Sequence, residues 1–130
     1  MFFQKNQPKK TREYVANSFF NKFQIQIDGY SDVGCLRENN EDAIYWGSEA
    51  NTDDNNEKET LLLIADGMGG HNAGEIASGM ARDYIRTVYK YWKTAPHKEL
   101  IKIFTKANRK IFRAARRNKE YANMGTTCTT

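Results

Sequence analysis

Thr60-Leu61-Leu62-Leu63-Ile64-Ala65 runs directly into Asp66-Gly67-Met68-Gly69-Gly70, and the reading of this stretch sets the rest of the chain. The aliphatic run is short, uninterrupted and closed by turn residues, so it predicts a strand buried on both faces. Asn72 with Glu75 three places later has the form of a capping box, and it opens a run in which Ile76, Met80, Tyr84, Val88 and Tyr91 recur at steps of three and four. A strand, a glycine turn and a helix therefore follow one another, with the Asp66 carboxylate at the strand end.

Glycine turns in this position often cradle phosphate on helix N–H groups. Gly69 to Gly74 meets the spacing of a P-loop, but Glu75-Ile76 stands where Lys and Ser or Thr are required. The dinucleotide fingerprint fails at Asn72, and Asp66 would set a carboxylate beside a pyrophosphate. A carboxylate backed by Cβ-free backbone suits a divalent cation better, because hard ions take carboxylate and main-chain carbonyl oxygens together. A simple tight turn is the plain alternative.

Upstream, Phe23-Gln24-Ile25-Gln26-Ile27 alternates with period two and predicts a strand, as does Ala43 to Trp46. Gly47 through Glu59 reads as a polar loop, which makes the second strand and Thr60–Ala65 a hairpin with a long tip. The Asn and Asp run from 51 to 56 lacks the glycine and glutamate of a calcium loop. Just before the second strand stands Arg37-Glu38-Asn39-Asn40-Glu41-Asp42. Adjacent Glu41 and Asp42 are costly unless solvent, a cation or an arginine offsets their repulsion, and Arg37 offers a planar fork for phosphate oxygens. A solvated charged turn is the alternative. Residues 1–24 read as a basic, partly flexible N-terminal arm.

Downstream, Thr94-Ala95-Pro96 breaks the first helix and starts another, with Leu100, Ile103, Phe104, Ala107, Ile111 and Ala115 as its apolar stripe. An antiparallel helix pair is expected. Thr126-Thr127-Cys128-Thr129-Thr130 is β-prone and ends with a strand in progress, an open edge that suggests a piece of a larger domain.

The 130 residues suit one domain or part of one, and 39% hydrophobic with 28% charged residues is an ordinary globular balance. The longest apolar run, Leu61–Ala65, is far below the roughly 20 residues of a membrane span, and Met1-Phe2-Phe3 is too short for a signal-peptide core. A cytoplasmic location is expected. Cys35 and Cys128 have neither partner cysteines nor histidines at metal spacing. Residues 25–75 carry two bases against twelve acids, net −10, and residues 82–119 carry thirteen bases against two acids, net +11. The basic block lacks the interleaved aromatic and glycine pattern of an RNA-binding sheet, so a solvated helix surface is expected rather than nucleic-acid binding.

Three segments together resemble the metal-dependent type-2C (PPM-type) protein serine/threonine phosphatases, bacterial branch. Ser31 through Asp42 is similar to that family's opening motif, Leu61 through Ser78 to its second, and Met124-Gly125-Thr126-Thr127 to its third, reached after a helix pair bearing Ala107-Asn108. The likeness covers residues 25–130 in order and spacing. It implies an α+β fold, a four-layer αββα sandwich of two antiparallel sheets flanked by antiparallel helices, here cut after about half of the domain. It implies two Mn²⁺ or Mg²⁺ ions, with Asp66 bridging both, Gly67 lending its carbonyl oxygen, Glu41 holding one ion and Asp42 supporting directly or through water. Arg37 would orient the phosphoryl group of a phosphoserine or phosphothreonine protein, while two cations acidify a bridging water for in-line attack. A monomer without nucleic-acid or membrane partners is expected.

Met68 stands where some members carry a histidine, and His71 is offset by three positions. The family's later metal-ligand aspartates have no counterpart, so an inactive or barely active chain is expected. A noncatalytic phosphatase-like binding module is the alternative. No role is assigned to Asp32.

Overall fold

The computed structural model describes residues 14–16, 25–50, 58–69, 73–89, 91 and 96–130. Strand β4 (Lys58–Met68) is the middle of a three-stranded antiparallel sheet whose other strands are β3 (Asp42–Ala50) and β5 (Gly125–Thr126). Its side chains alternate. Leu61, Leu63, Ala65 and Gly67 are buried, whereas Leu62, Ile64 and Met68 are 49%, 60% and 62% exposed. The expected burial of this strand on both faces is therefore corrected. Antiparallel sheets can leave one face open, and among the described residues the helices pack on one face alone. The four-layer sandwich is not seen among the described residues. What they show is an α+β arrangement of a small antiparallel sheet with two helices on it.

The β3–β4 ladder runs from Asp42 opposite Asp66 to Ala50 opposite Lys58. It extends well past the expected Ala43–Trp46, because ladder hydrogen bonds use the backbone and so run on through Gly47, Ser48 and Glu49 to Ala50. A separate two-stranded pair joins β1 (Tyr14–Ala16) to β2 (Ile25–Ile27). Three residues of the N-terminal arm are thus a strand. The rest of the arm lies outside the described residues, as do Asn72, His71 and the tip of the β3–β4 hairpin.

Helix α1 (Ala73–Tyr89) packs on the sheet through Ala73, Gly74, Ala77, Ser78, Ala81, Ile85 and Tyr89. Small residues let the helix axis come close to β4. The stripe expected at Ile76, Met80, Tyr84 and Val88 flanks that contact half-buried, and Tyr91 lies beyond the helix, 75% exposed. Helix α2 (Pro96–Arg117) starts at the expected proline and buries Ile103, Ala107 and Ile111. Ile103 joins Ile85 and Tyr89 from the end of α1, while Ile111 joins Ala73, Ala77 and Ala81 from its beginning, so the two helices are antiparallel. Part of the basic block is engaged in the fold: Lys110 lies 4.9 Å over the Tyr84 ring, Arg86 lies 5.4 Å over Tyr45, and Lys102 bonds Glu99 at 2.8 Å.

A 3₁₀ turn at Lys119–Tyr121 is capped by Asn118, whose side chain accepts the Glu120 N–H. Met124, buried in the second cluster, then anchors the return of the chain into β5. The terminal strand is paired rather than open on that side: Gly67 faces Thr126, Met68 faces Gly125, and Ile64 bridges Thr129.

Candidate functional site

Cross-strand register decides which acids meet. Asp42 is the Cα partner of Asp66, so the two acids stand opposite one another across the ladder, one step beyond Ala43 and Ala65, which are buried. One step along, the Gly67 N–H donates to the Glu41 carbonyl at 3.0 Å. Four of the residues singled out from sequence, Glu41, Asp42, Asp66 and Gly67, therefore share one end of the sheet.

Arg37 reaches the same end. Its Nη1 lies 2.5 Å from Glu41 Oε2, with the arginine side chain 63% exposed and the glutamate 13%. Glu41 turns toward α1. A Cβ added at Gly74 would come within 2.8 Å of the Glu41 carboxyl, so the glycine leaves the space this carboxylate occupies at the start of the helix, where the helix dipole favours negative charge. Gly67 is under the same constraint, since a Cβ there would meet the Gly74 and Glu41 carbonyl oxygens.

Asp42 is held by a small polar network. The Asn40 Oδ1 accepts the Asp42 N–H at 2.9 Å, its Nδ2 donates to Ser31 Oγ at 2.7 Å, and Ser31 Oγ lies 3.5 Å from Asp42 Oδ2. Asp32 supports the preceding loop. It accepts the Gly34 N–H at 2.7 Å, where Gly34 takes φ 73°, and it accepts the Tyr30 hydroxyl. That hydroxyl bond holds the Asp32 carboxyl below the ordinary carboxylate range and raises the Tyr30 phenol. Beside this loop, a cleft of about 710 Å³ against α1 is lined by Ser31, Asp32, Asp42, Glu75 and Arg82 among others. Arg37, Glu41 and Asp66 do not line it.

Among the described residues, no group of three or more His, Cys, Asp or Glu side chains converges in a way that would hold a metal ion. The acids are divided at the strand end: Glu41 goes to the helix side with Arg37, Asp42 lines the cleft with Ser31, and Asp66 is exposed. The donor set nonetheless has the chemistry of a hard-cation site. Two carboxylates are directly opposed across the ladder, and among the described residues the Asp66 carboxylate has no hydrogen-bond or ion-pair partner. Like charges in that position are unfavourable until a cation joins them.

Sequence reasoning missed Gly74, Asn40 and Ser31 as parts of the site. Asn40 was accessible to it, since Asn two residues before Asp is an Asx-turn pattern. Gly74 was not, because its contact with Glu41 is tertiary.

In class this is an α+β protein with an acid-rich strand end beside an arginine. No protein-family model matches the chain. The serine/threonine phosphatase stp of Listeria innocua is 34% identical over 105 residues, covering 75% of this chain and 38% of that protein. The serine/threonine protein phosphatase PstP of Mycobacterium tuberculosis is 50% identical over 48 residues, or 37% of this chain and 7% of its own length. Among solved structures, the serine/threonine phosphatase Stp1 from Staphylococcus aureus superposes with a TM-score of 0.62 at 27% identity, over 95% of this chain and 41% of that one. The chain belongs to the bacterial type-2C (PPM-type) serine/threonine protein phosphatase family, and it spans about two fifths of the length of these longer-matching relatives. Among the described residues, no helix is long and apolar enough to cross a membrane.

Proposed function

We propose that the strand end at Asp66 is part of a phosphatase site that hydrolyses phosphoserine and phosphothreonine in proteins. The observation that carries this reading is the register that sets Asp42 opposite Asp66 while Gly67 bonds Glu41, whose carboxylate pairs with Arg37. Asp66, Asp42, Glu41 and the Gly67 carbonyl would hold two Mn²⁺ or Mg²⁺ ions, which when bound acidify water and offset phosphoryl charge. Arg37 is 63% exposed and would exchange its Glu41 contact for a bidentate grip on phosphoryl oxygens. Asn40 and Ser31 hold Asp42 in place.

The open face of β4 supports the four-layer reading. Exposed Leu62 and Ile64 are the surface that a second sheet would cover. Because the chain spans only 38% of the Listeria relative, the ligand set here is proposed to be partial and turnover by the chain alone slow.

Phosphate release from a phosphothreonine peptide, measured with Mn²⁺ and after chelation, tests this. Slow release that needs Mn²⁺ and falls about 100-fold in Arg37→Ala is expected. Release that survives chelation contradicts the cation reading, and fast release contradicts the partial ligand set. Cation binding with no release at all favours the noncatalytic module.

A further inference from the structure

The ladder that β4 makes with β5 and the residues after it is regular except at one place, and that place is Asp66. Residues of the two segments face each other in a single register: Met68 with Gly125, Gly67 with Thr126 and Ile64 with Thr129. At Ile64 and Thr129 the pair exchanges both bonds, at 2.9 and 2.8 Å, as an antiparallel hydrogen-bonded pair should. Two residues along, Asp66 and Thr127 occupy the next such pair. Only half of the exchange is present there. The Thr127 N–H donates to the Asp66 carbonyl at 2.9 Å, but the Asp66 N–H donates to Thr127 Oγ1 at 3.3 Å instead of to the Thr127 carbonyl. That carbonyl is taken by Thr126 Oγ1 at 2.7 Å, which also lies 2.9 Å from the Asp66 carbonyl.

We propose that Thr126 and Thr127 are positioning residues whose hydroxyls replace the backbone ladder at Asp66 and so set the direction of its carboxylate. Local breaks in a ladder re-aim the side chain at the break, which is why bulges gather beside functional sites. Here the break needs no inserted residue, because two hydroxyls carry the displaced bonds and leave the Asp66 backbone groups satisfied. By register Thr127 stands directly opposite Asp66 on the neighbouring segment. Valine at either position keeps the β-branch and removes the hydroxyl. Serine keeps the hydroxyl.

The inference rests on the cation reading of Asp66, and two independent readouts separate them. The first is amide hydrogen exchange of Asp66 in the full chain. Thr127→Val should speed exchange at Asp66 roughly 5-fold, the effect of one lost hydrogen bond, with Ile64 and Thr129 amides unchanged as internal controls for folding. Thr127→Ser should exchange like the wild type. The second is Mn²⁺ binding followed by the Mn²⁺ paramagnetic resonance signal. Thr127→Val should weaken it about 10-fold, as outer-shell substitutions do, and Thr127→Ser should restore it. Unchanged exchange in Thr127→Val, or a serine variant as impaired as the valine one, overturns the proposal. An exchange effect without any Mn²⁺ binding by the wild type supports the threonine clamp on Asp66 and overturns the cation reading alone.

Discussion

The Glu41 carboxyl lies over the Cα of Gly74, so near that a single methyl added there would come within 2.8 Å of its carboxyl carbon and Oε1. The same methyl would lie 3.0 Å from the Gly67 carbonyl carbon. Glycine at this point of α1 is thus a spatial requirement of the site, and not a helix defect.

Gly74→Ala and Gly79→Ala should accordingly move stability in opposite directions. A Cβ at Gly79 meets nothing within 4 Å, so alanine there gains about 0.5–1 kcal/mol from helix propensity. At Gly74 overpacking should cost about 1–3 kcal/mol. Urea denaturation of the two variants checks this, and equal gains would contradict the close approach of helix and strand.

Arg37 should matter little to folding. Its pair with Glu41 leaves the arginine 63% exposed, and exposed ion pairs contribute roughly 0–1 kcal/mol. Arg37→Ala should therefore melt within a few degrees of the wild type while losing phosphopeptide turnover.

The two faces of β4 and its neighbours should respond differently to truncation. Ile85 is fully buried between sheet and helices, and Ile85→Ala should cost about 2–5 kcal/mol. Ile64 is 60% exposed, so Ile64→Thr should stay within roughly 0.5 kcal/mol. Comparable losses at both positions would show that the second face of the sheet is covered too.

The two thiols should differ in reactivity. Burial pushes the half-buried Cys128 thiol above its ordinary range, whereas Cys35 is exposed. Alkylation at neutral pH should label Cys35 first, because the thiolate is the reacting form. With its folded value above the unfolded one, the contribution of Cys128 to stability is intact below the unfolded thiol range and is lost as pH climbs through the raised value. Cys128→Ala should remove that alkaline loss in a pH series of melting curves.

Much of this was legible in the sequence for local reasons. An aliphatic run closed by Asp66-Gly67 announces a strand and its turn, and Pro96 announces the start of α2. The inward face of α1 was not, because large residues such as Met80 and Tyr84 dominate any apolar count, while the contact with β4 selects Ala73, Ala77 and Ala81 for closeness. The open face of β4 among the described residues was not legible for a related reason: a run of leucines gives no sign of which side the helices will take. The acids of the site were visible as residue types, but their division between the two sides of the sheet end depends on register, which pairing across the hairpin sets.

Asp66→Asn tests the central claim most directly, by thermal unfolding of wild type and variant with and without Mn²⁺. Removing one of two opposed carboxylates should leave the metal-free variant as stable as the wild type or up to about 1 kcal/mol more so. Mn²⁺ at 100 times its dissociation constant should stabilise the wild type by about 2.7 kcal/mol and leave the variant unmoved. An equal Mn²⁺ response in both proteins would contradict a cation held at Asp66.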